Sequence, residues 1–215
     1  GALGDPELME EIIASGKADV VMVARAMLAD PDLPDKARAG MTDEIRPCIR
    51  CHECFAGDTQ HRQFRCSVNA EVGFEQDALR ALHAPRAIAP KAVLVAGGGV
   101  AGMQAALTAA QRGHKVILCE KSGRLGGVLR CEEKVPFKRL LTRYLDYQAR
   151  MIARTSIEVR LDTVVTPDLV DSLGVDVIIA ALGAVPLIPR IPGIDGTNVL
   201  SAEEAYLHPE KTSGK

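Results

Sequence analysis

A run of apolar residues leads directly into a glycine-rich turn in the segment Val93-Leu94-Val95-Ala96-Gly97-Gly98-Gly99-Val100-Ala101-Gly102. Its glycines follow a G-x-G-x-x-G spacing. We expect Gly97 to allow a tight turn, Gly99 to let a pyrophosphate approach the backbone, and Gly102 to let the next helix pack against the strand. The helix N-terminus would offer free N–H groups and the positive end of its dipole to an anion. The segment therefore predicts a dinucleotide-binding strand, turn and helix.

An acidic residue follows at the position that such a site requires. Glu120 ends a second apolar stretch and lies 18 residues after Gly102. We expect its carboxylate to accept hydrogen bonds from ribose hydroxyls and to repel a 2′-phosphate, which favours FAD or NAD over NADP at this ribose. The alternative is a tight strand-to-helix turn that binds no ligand, and the whole pattern makes it the less favoured one.

Further glycines lie close to this segment. Gly126 and Gly127 are adjacent and soon follow Glu120, and Gly183 ends an apolar stretch. Adjacent glycines suit a backbone that lies against an extended cofactor, although an ordinary flexible loop has the same composition. Gly183 and the turn at residues 191–195 are weak signals when taken alone.

The pattern around these motifs alternates between strands and helices. Such alternation predicts an α/β fold with a doubly wound parallel sheet, Rossmann-like, over residues 91–215. Apolar residues in its longest helix recur every three or four positions, which predicts core packing. The predicted strands are residues 91–96, 115–119, 156–161 and 175–182, and the predicted helices are residues 100–112 and 136–152.

The N-terminal residues predict half of a βαβ repeat. Asp5 and Pro6 are typical of the start of a helix, and Gly16 of its end. Residues 18–25 hold four consecutive apolar side chains without alternation, which predicts a parallel strand buried on both faces. Residues 1–45 are too short for a domain, so we expect them to be the last part of a larger one. We predict a helix at residues 77–82, and the two prolines within residues 83–90 mark this stretch as the linker to the next domain.

Four of the six cysteines cluster within a short segment: Cys48, Cys51, Cys54 and Cys66. Three thiolates at three-residue steps can converge on one side of a polynuclear centre, and this spacing is similar to that of iron-sulfur ferredoxins in its first three positions. A structural zinc ion is the competing interpretation, with His52 or His61 as an additional ligand. Four unliganded cysteines are the least favoured interpretation. We expect Cys119 and Cys131 to be buried, inert thiols.

Composition excludes several classes of function. The net charge is −2 and aromatic residues make up 3% of the chain, so neither a basic surface nor base stacking favours nucleic acid. The sequence contains neither a membrane-spanning run nor a signal peptide pattern. We therefore expect a cytoplasmic protein that acts on a small-molecule substrate, without nucleic acid or membrane partners.

Together the motifs resemble the multidomain flavoprotein relatives of old yellow enzyme, represented by 2,4-dienoyl-CoA reductase and trimethylamine dehydrogenase. The resemblance rests on Asp-Pro-Glu-Leu at residues 5–8, Ala-Arg-Ala-Met-Leu-Ala-Asp-Pro at 24–31 and Ile-Arg-Pro-Cys-Ile-Arg-Cys at 45–51. In that family an FMN-bearing (β/α)8 barrel ends in an iron-sulfur cysteine cluster, which an FAD- or ADP-binding domain follows. The resemblance implies the last TIM barrel unit at residues 1–45, an iron-sulfur loop and linker at 46–90, and an incomplete FAD/NAD(P)-binding domain at 91–215.

The resemblance also implies roles for individual residues. Cys48, Cys51, Cys54 and Cys66 would ligate a [4Fe-4S] cluster. FAD would be lined by Gly97, Gly99, Gly102, Glu120, Gly126, Gly127 and Gly183. The FMN phosphate would lie at Gly1, Ala2, Ala24 and Arg25. Leu182 stands where the family frequently has threonine. The spacing from Cys51 to Cys54 is similar to that of the family's amine dehydrogenases, whereas the spacing from Cys54 to Cys66 is similar to that of its enoyl reductases.

The activity implied by the resemblance is electron transfer from NAD(P)H through FAD and the cluster to FMN. An activated, enoyl-type double bond is the expected substrate group, and amine oxidation within the same family is the alternative. Residues that would exchange protons with the substrate belong to barrel strands that this sequence does not contain, so the catalytic residues are unknown. The alternative from another class is a non-catalytic, zinc-stabilised nucleotide-binding module.

Overall fold

The computed structural model of the chain describes residues 3–59, 64–76, 87 and 89–212. It divides into two compact units, Gly1–Ile88 and Ala89–Lys215. The helix that we predicted at residues 77–82 lies outside the described residues. In the described part of the chain we find no helix with the length and apolar character that crossing a membrane requires.

Short helices make up the described part of the first unit. Helix α1 (Pro6–Ala14) begins as predicted, with the Asp5 carboxylate accepting a hydrogen bond from the Glu7 N–H at 3.1 Å. Gly16 follows with a φ of 69°. The other helices are α2 (Arg25–Ala29), α3 (Leu33–Arg38), a 3-10 turn (Thr42–Glu44) and α4 (Glu53–Thr59).

The strand predicted at residues 18–25 is wrong for this structure. Residues 18–23 form no strand, and the side chains of Val20 and Met22 are 79% and 91% exposed. A parallel strand is stable only when a neighbouring strand pairs with it and both faces are covered. Within the described residues nothing pairs with this segment, and Arg25 already begins α2.

The buried carboxylate of Asp30 accepts hydrogen bonds from three residues that precede the clustered cysteines in the sequence. Asp30 is 3% exposed and accepts hydrogen bonds from Lys36 Nζ at 2.7 Å, the Arg46 N–H at 2.7 Å and the Asp32 N–H at 3.1 Å. Because an unpaired buried carboxylate is costly, these donors constrain the path of the chain into Cys48.

The second unit contains a parallel sheet of four strands: β1 (Ala92–Ala96), β2 (Lys115–Cys119), β3 (Glu158–Arg160) and β4 (Val177–Ala180). Their order across the sheet is β3-β2-β1-β4. Strand β1 lies in the interior, paired with β2 from Ala92↔Lys115 to Ala96↔Cys119 and with β4 from Val93↔Val177 to Ala96↔Ala180. This confirms the predicted α/β class, although β3 and β4 are shorter than expected.

Helices α5 (Val100–Gln111) and α6 (Arg139–Ala153) connect β1 to β2 and β2 to β3. They pack into an aliphatic core that includes Val95, Met103, Leu118, Leu145 and Ile152. Helix α6 begins three residues later than predicted, after a 3-10 turn (Pro136–Lys138), and Phe137 is exposed instead of packed. Helices α7 (Pro167–Leu173) and α8 (Ala202–Leu207) follow, and 3-10 segments span Gly127–Lys134 and Pro209–Thr212.

Candidate functional site

The first glycine turn, residues 97–102, connects the buried end of β1 to α5. Gly97 has a φ of 108°, and a Cβ there would lie 2.3 Å from the Ala181 carbonyl oxygen. A Cβ at Gly102 would lie 1.8 Å from the Gly97 carbonyl oxygen. Both positions therefore require glycine, one for the turn and one for the close approach of α5, which are the roles that the spacing predicted.

Gly99 differs from these two glycines because it faces the second glycine turn, residues 126–127. It is the N-cap of α5, and among the described residues no side chain caps this 12-residue helix. The first-turn N–H groups of an uncapped helix are free to bind an anion, and the helix dipole favours negative charge there. The geometry therefore fits a pyrophosphate at the start of α5.

The second glycine turn is docked against the first. The Gly126 N–H donates to the Gly98 carbonyl oxygen at 2.8 Å, and Gly126 forms an isolated parallel bridge with Gly99. Both glycines of this turn have positive φ, 124° and 62°, and a Cβ at Gly127 would lie 2.9 Å from the Gly99 Cα. Two glycine-only backbones thus lie in direct contact, which only residues without side chains permit.

Glu120 lies directly beneath the first turn and binds donors of the protein itself. Its buried carboxylate accepts hydrogen bonds from the Gly98 N–H at 2.7 Å, the Ser122 N–H at 2.9 Å and Ser122 Oγ at 2.8 Å. These bonds occupy three of the roughly four lone-pair positions of a carboxylate. Glu120 therefore fixes the turn first, and one acceptor position remains for a ribose hydroxyl.

The ionisation of Glu120 reflects two opposed effects. Burial raises the pKa of the carboxyl group, whereas the hydrogen bonds from Ser122 and Gly98 and the charge of Lys121 lower it. The hydrogen bonds and the charge prevail, and the pKa lies below its ordinary value of 4.5. Glu120 is therefore an anion at neutral pH.

Gly183 is not brought into contact with the glycine turns. It follows β4 with a φ of 74°, and a Cβ there would meet no heavy atom of the described residues within 4 Å. Leu182 beside it is 75% exposed. The structure thus explains glycine at this position by backbone conformation alone.

In the first unit, the four clustered cysteines line one pocket. This pocket is open to solvent, and none of its described lining residues carries a carboxylate. Cys54 is buried, Cys48 and Cys66 are half-buried, and Cys51 is exposed. Among the described residues, no group of three potential ligands is close enough to hold a single metal ion. The pocket is lined by Arg25, Leu28, Cys48, Ile49, Cys51, His52, Cys54, Cys66, Ser67 and Val68.

The thiols of this pocket influence one another electrostatically. Burial raises the pKa of Cys54, a backbone hydrogen bond lowers it in part, and the other three cysteines raise it again. The result is a pKa above the ordinary value of 9.0. Because grouped thiolates repel each other, a bound cation or metal cluster is what would stabilise all four in the deprotonated form.

The backbone around Cys51 adopts an uncommon conformation. Arg50 and His52 have φ values of 57° and 63°, although neither is glycine. A left-handed conformation costs a non-glycine residue about 1–2 kcal/mol, and such strain is concentrated at functional sites. Backbone N–H groups beside left-handed residues form the anion-binding concavities found at many iron-sulfur sites. The donor set and the backbone together fit an iron-sulfur cluster.

Arg25 contacts the cysteine pocket directly. Its Nη1 lies 2.9 Å from Nε2 of His52, and Ala24 is the N-cap of α2. Gly1 and Ala2 lie outside the described residues, as does His61. The FMN phosphate site that the resemblance implied at these positions stays a prediction.

Several residues of these sites were missed by reasoning from the sequence. Ser122 holds Glu120, Arg130 contacts the second glycine turn, and Ser67 Oγ lies 3.2 Å from Cys51 Sγ. Ser122 lies two residues after the predicted acid and Ser67 directly after a predicted ligand, so proximity to a motif was the available signal. Of the two remaining cysteines, Cys119 is fully buried as predicted, whereas the prediction of burial is wrong for Cys131, which is half-buried.

Comparison with known proteins relates the whole chain to flavoenzymes. Residues 92–159 match the model of the FAD dependent oxidoreductase family. The NADH oxidase of Thermoanaerobacter brockii is 41% identical over 200 residues, which are 92% of this chain and 30% of that protein. The cinnamate reductase of Clostridium sporogenes is 34% identical over 216 residues, 100% of this chain and 32% of the reductase.

A solved structure shows the same relationship. The 6-hydroxypseudooxynicotine amine oxidase of Pseudomonas geniculata N1 superposes with a TM-score of 0.86 at 32% identity, covering 96% of this chain and 32% of the oxidase. The chain thus spans about a third of the length of the proteins that it matches. It belongs to the multidomain flavin-dependent oxidoreductases related to old yellow enzyme, the family that its glycine and cysteine motifs predicted.

Proposed function

We propose that this chain is the electron-transfer segment of a flavin-dependent reductase that takes electrons from NAD(P)H and reduces an activated, enoyl-type double bond. The observation that carries the proposal is the convergence of Cys48, Cys51, Cys54 and Cys66 on one pocket. The names of two relatives support it, because one is an NADH oxidase and the other reduces cinnamate, whose double bond is conjugated to a carboxylate.

Residues of the two units would bind different cofactors. In the second unit the first glycine turn offers the N-terminus of α5 to the FAD pyrophosphate, and Glu120 offers its remaining acceptor position to the ribose. We place Gly126 and Gly127 beside the same cofactor, with Gly183 at its edge. When bound, FAD would supply the acceptor for electrons from NAD(P)H, a [4Fe-4S] cluster held by the four cysteines would supply one-electron transfer, and FMN would supply the reductant for the double bond.

In the first unit the four cysteines would ligate the [4Fe-4S] cluster as thiolates. Leu28, Ile49 and Val68 line the same pocket and lower its polarity, which is one of the means by which a protein tunes a cluster's potential. We assign Ala24 and Arg25 to the FMN phosphate, and the Arg25–His52 contact would link that phosphate to the cysteine pocket. On this proposal residues 1–45 end the barrel and residues 46–90 form the cluster loop and linker.

The experiment uses the protein expressed from its complete gene and purified without oxygen. We expect about four iron and four acid-labile sulfide per chain, as the proposed cluster requires, together with bound flavin and an absorption that dithionite bleaches. Cys66→Ser is expected to lose the iron signal but keep FAD. Cys119→Ser, which alters a buried thiol of β2, is the matched control and should keep both. Zinc without iron in the wild-type protein would contradict the proposal and favour the zinc-stabilised binding module.

Oxidation of an amine is the second candidate. It is favoured by the likeness to the amine oxidase structure. Steady-state assays of the complete protein with cinnamate plus NADH, and with a tertiary amine plus an artificial electron acceptor, separate the two. Turnover of the amine alone would replace the reductase proposal with this one.

A further inference from the structure

Arg130 makes three hydrogen bonds that connect the second glycine turn to the rest of its unit. Its side chain is only 13% exposed. Nε donates to the Leu125 carbonyl oxygen at 2.9 Å, and Nη1 donates to Glu133 Oε1 at 2.5 Å and to Asp146 Oδ1 at 2.8 Å. Asp146 belongs to α6, so the guanidinium joins the residue before the turn to a helix that packs in the core.

The guanidinium occupies the space that glycine leaves open at position 126. A Cβ on Gly126 would lie 2.4 Å from Nε and 2.8 Å from Cγ of Arg130. Gly126 in turn donates its N–H to the Gly98 carbonyl oxygen at 2.8 Å. A continuous chain of contacts therefore runs from α6 through Arg130 and the second glycine turn to the first.

The charge on Arg130 is already compensated within the protein. Two carboxylates, Glu133 and Asp146, accept from Nη1, and Glu133 also pairs with the exposed Arg124 at 2.7 Å. Two arginines and two carboxylates sum to zero net charge. Long-range attraction of a phosphate by this group is therefore weak, and its contribution must come from the position in which it holds the backbone.

We infer that Arg130 is a positioning residue for FAD, which holds the second glycine turn at the separation from the first that the cofactor requires. The inference rests on the proposed function, because it takes FAD to be the ligand of the two turns. Without the guanidinium, Leu125 loses its donor and Gly126 loses the side chain packed against it. The turn then samples other positions, and FAD must reorder it on binding, which lowers affinity.

The test is FAD affinity, measured by quenching of flavin fluorescence with the deflavinated complete protein. Arg130→Ala is expected to raise the FAD Kd about tenfold or more, because charge-assisted hydrogen bonds are lost. Arg124→Ala is the matched control, since it removes the exposed partner of the same Glu133, and should leave Kd within about twofold. Asp146→Asn keeps Arg130 but weakens its attachment to α6, and should give an intermediate Kd.

A purely structural role for Arg130 predicts a different result. In that case Arg130→Ala would lower the thermal unfolding temperature of the FAD-free protein but leave the FAD Kd equal to that of the Arg124→Ala control. This outcome would overturn the inference. If Arg130→Ala does not fold, an Asp146→Asn variant with wild-type affinity would overturn it equally. Failure of the wild-type protein to bind FAD would instead contradict the proposed function, so the two failures are distinguishable.

Discussion

At the scale of single residues, Glu120 shows how one buried carboxylate fixes the first glycine turn. Its pKa is lowered by donors from Ser122 and Gly98 that outweigh burial. A carboxyl group with a lowered folded-state pKa stabilises the protein above its unfolded-state pKa, and this contribution is lost as the pH falls through the folded-state value. The stabilisation by Glu120 should therefore be complete at neutral pH and decrease below about pH 4.5.

Glu120→Gln tests this role. The amide places a donor against the N–H of Gly98 or of Ser122, so the variant should unfold with a free energy lower by about 1–3 kcal/mol at pH 7. The difference from wild type should shrink as the pH falls below 4.5, the ordinary value for the carboxyl group. Urea unfolding of both proteins at several pH values measures this difference in the free energy of unfolding. A difference that does not change with pH would show that the charge of Glu120 contributes nothing.

At the scale of secondary-structure elements, the contact between β1 and α5 depends on Gly102. A methyl group there would lie 1.8 Å from the Gly97 carbonyl oxygen, which is backbone and cannot rotate away. Gly102→Ala should therefore displace α5 and lower the free energy of unfolding by about 3 kcal/mol, at the upper end for overpacking. FAD affinity should fall with it, because the start of α5 moves.

Gly123→Ala is the control for this prediction. A Cβ at Gly123 would meet its nearest atom, Asp162 Oδ1, at 3.5 Å, an ordinary van der Waals contact. Its free energy of unfolding should stay within about 0.5 kcal/mol of wild type. Equal stability of the two variants in urea would contradict the close contact between Gly97 and Gly102.

At the scale of the whole molecule, the two units contain separate clusters of buried apolar residues. Among the described residues, one cluster of the first unit is Ala26, Leu33 and Ile45, and the core of the second includes residues from β1, β2, α5 and α6. A metal cluster that binds only the folded state adds its binding free energy to folding, so the proposed iron-sulfur cluster should stabilise the first unit. Ligands should therefore stabilise each unit separately.

Calorimetry of the complete protein checks this expectation. FAD at 100 times its Kd should stabilise the second unit by about 2.7 kcal/mol. Removal of iron by a chelator should destabilise the first unit and leave the FAD-dependent transition where it was. A single transition that both treatments shift equally would show that the units unfold together.

Neighbouring residues along the chain were sufficient to predict much of the second unit. The G-x-G-x-x-G spacing predicted the conflict at Gly102 and the turn at Gly97, and apolar runs predicted β1 and β2 nearly to the residue. They succeed because turn geometry and helix packing at these positions depend on residues close by in the sequence. The α/β class followed from the same signals, whereas the family resemblance rested on the sequence at residues 5–8, 24–31 and 45–51.

Contacts between distant residues required the folded chain. The hydrogen bond from Gly98 to Glu120, the docking of the second glycine turn on the first, and the link from Arg130 to Asp146 all join residues that are distant in the sequence. The segment at residues 18–23 illustrates the same limit, because an apolar run forms a strand only where a neighbouring strand satisfies its backbone. The spacing of residue types along the sequence indicates where the backbone can turn, where a helix can pack closely and where a ligand can bind. Which groups become hydrogen-bond partners depends on the residues that folding brings together.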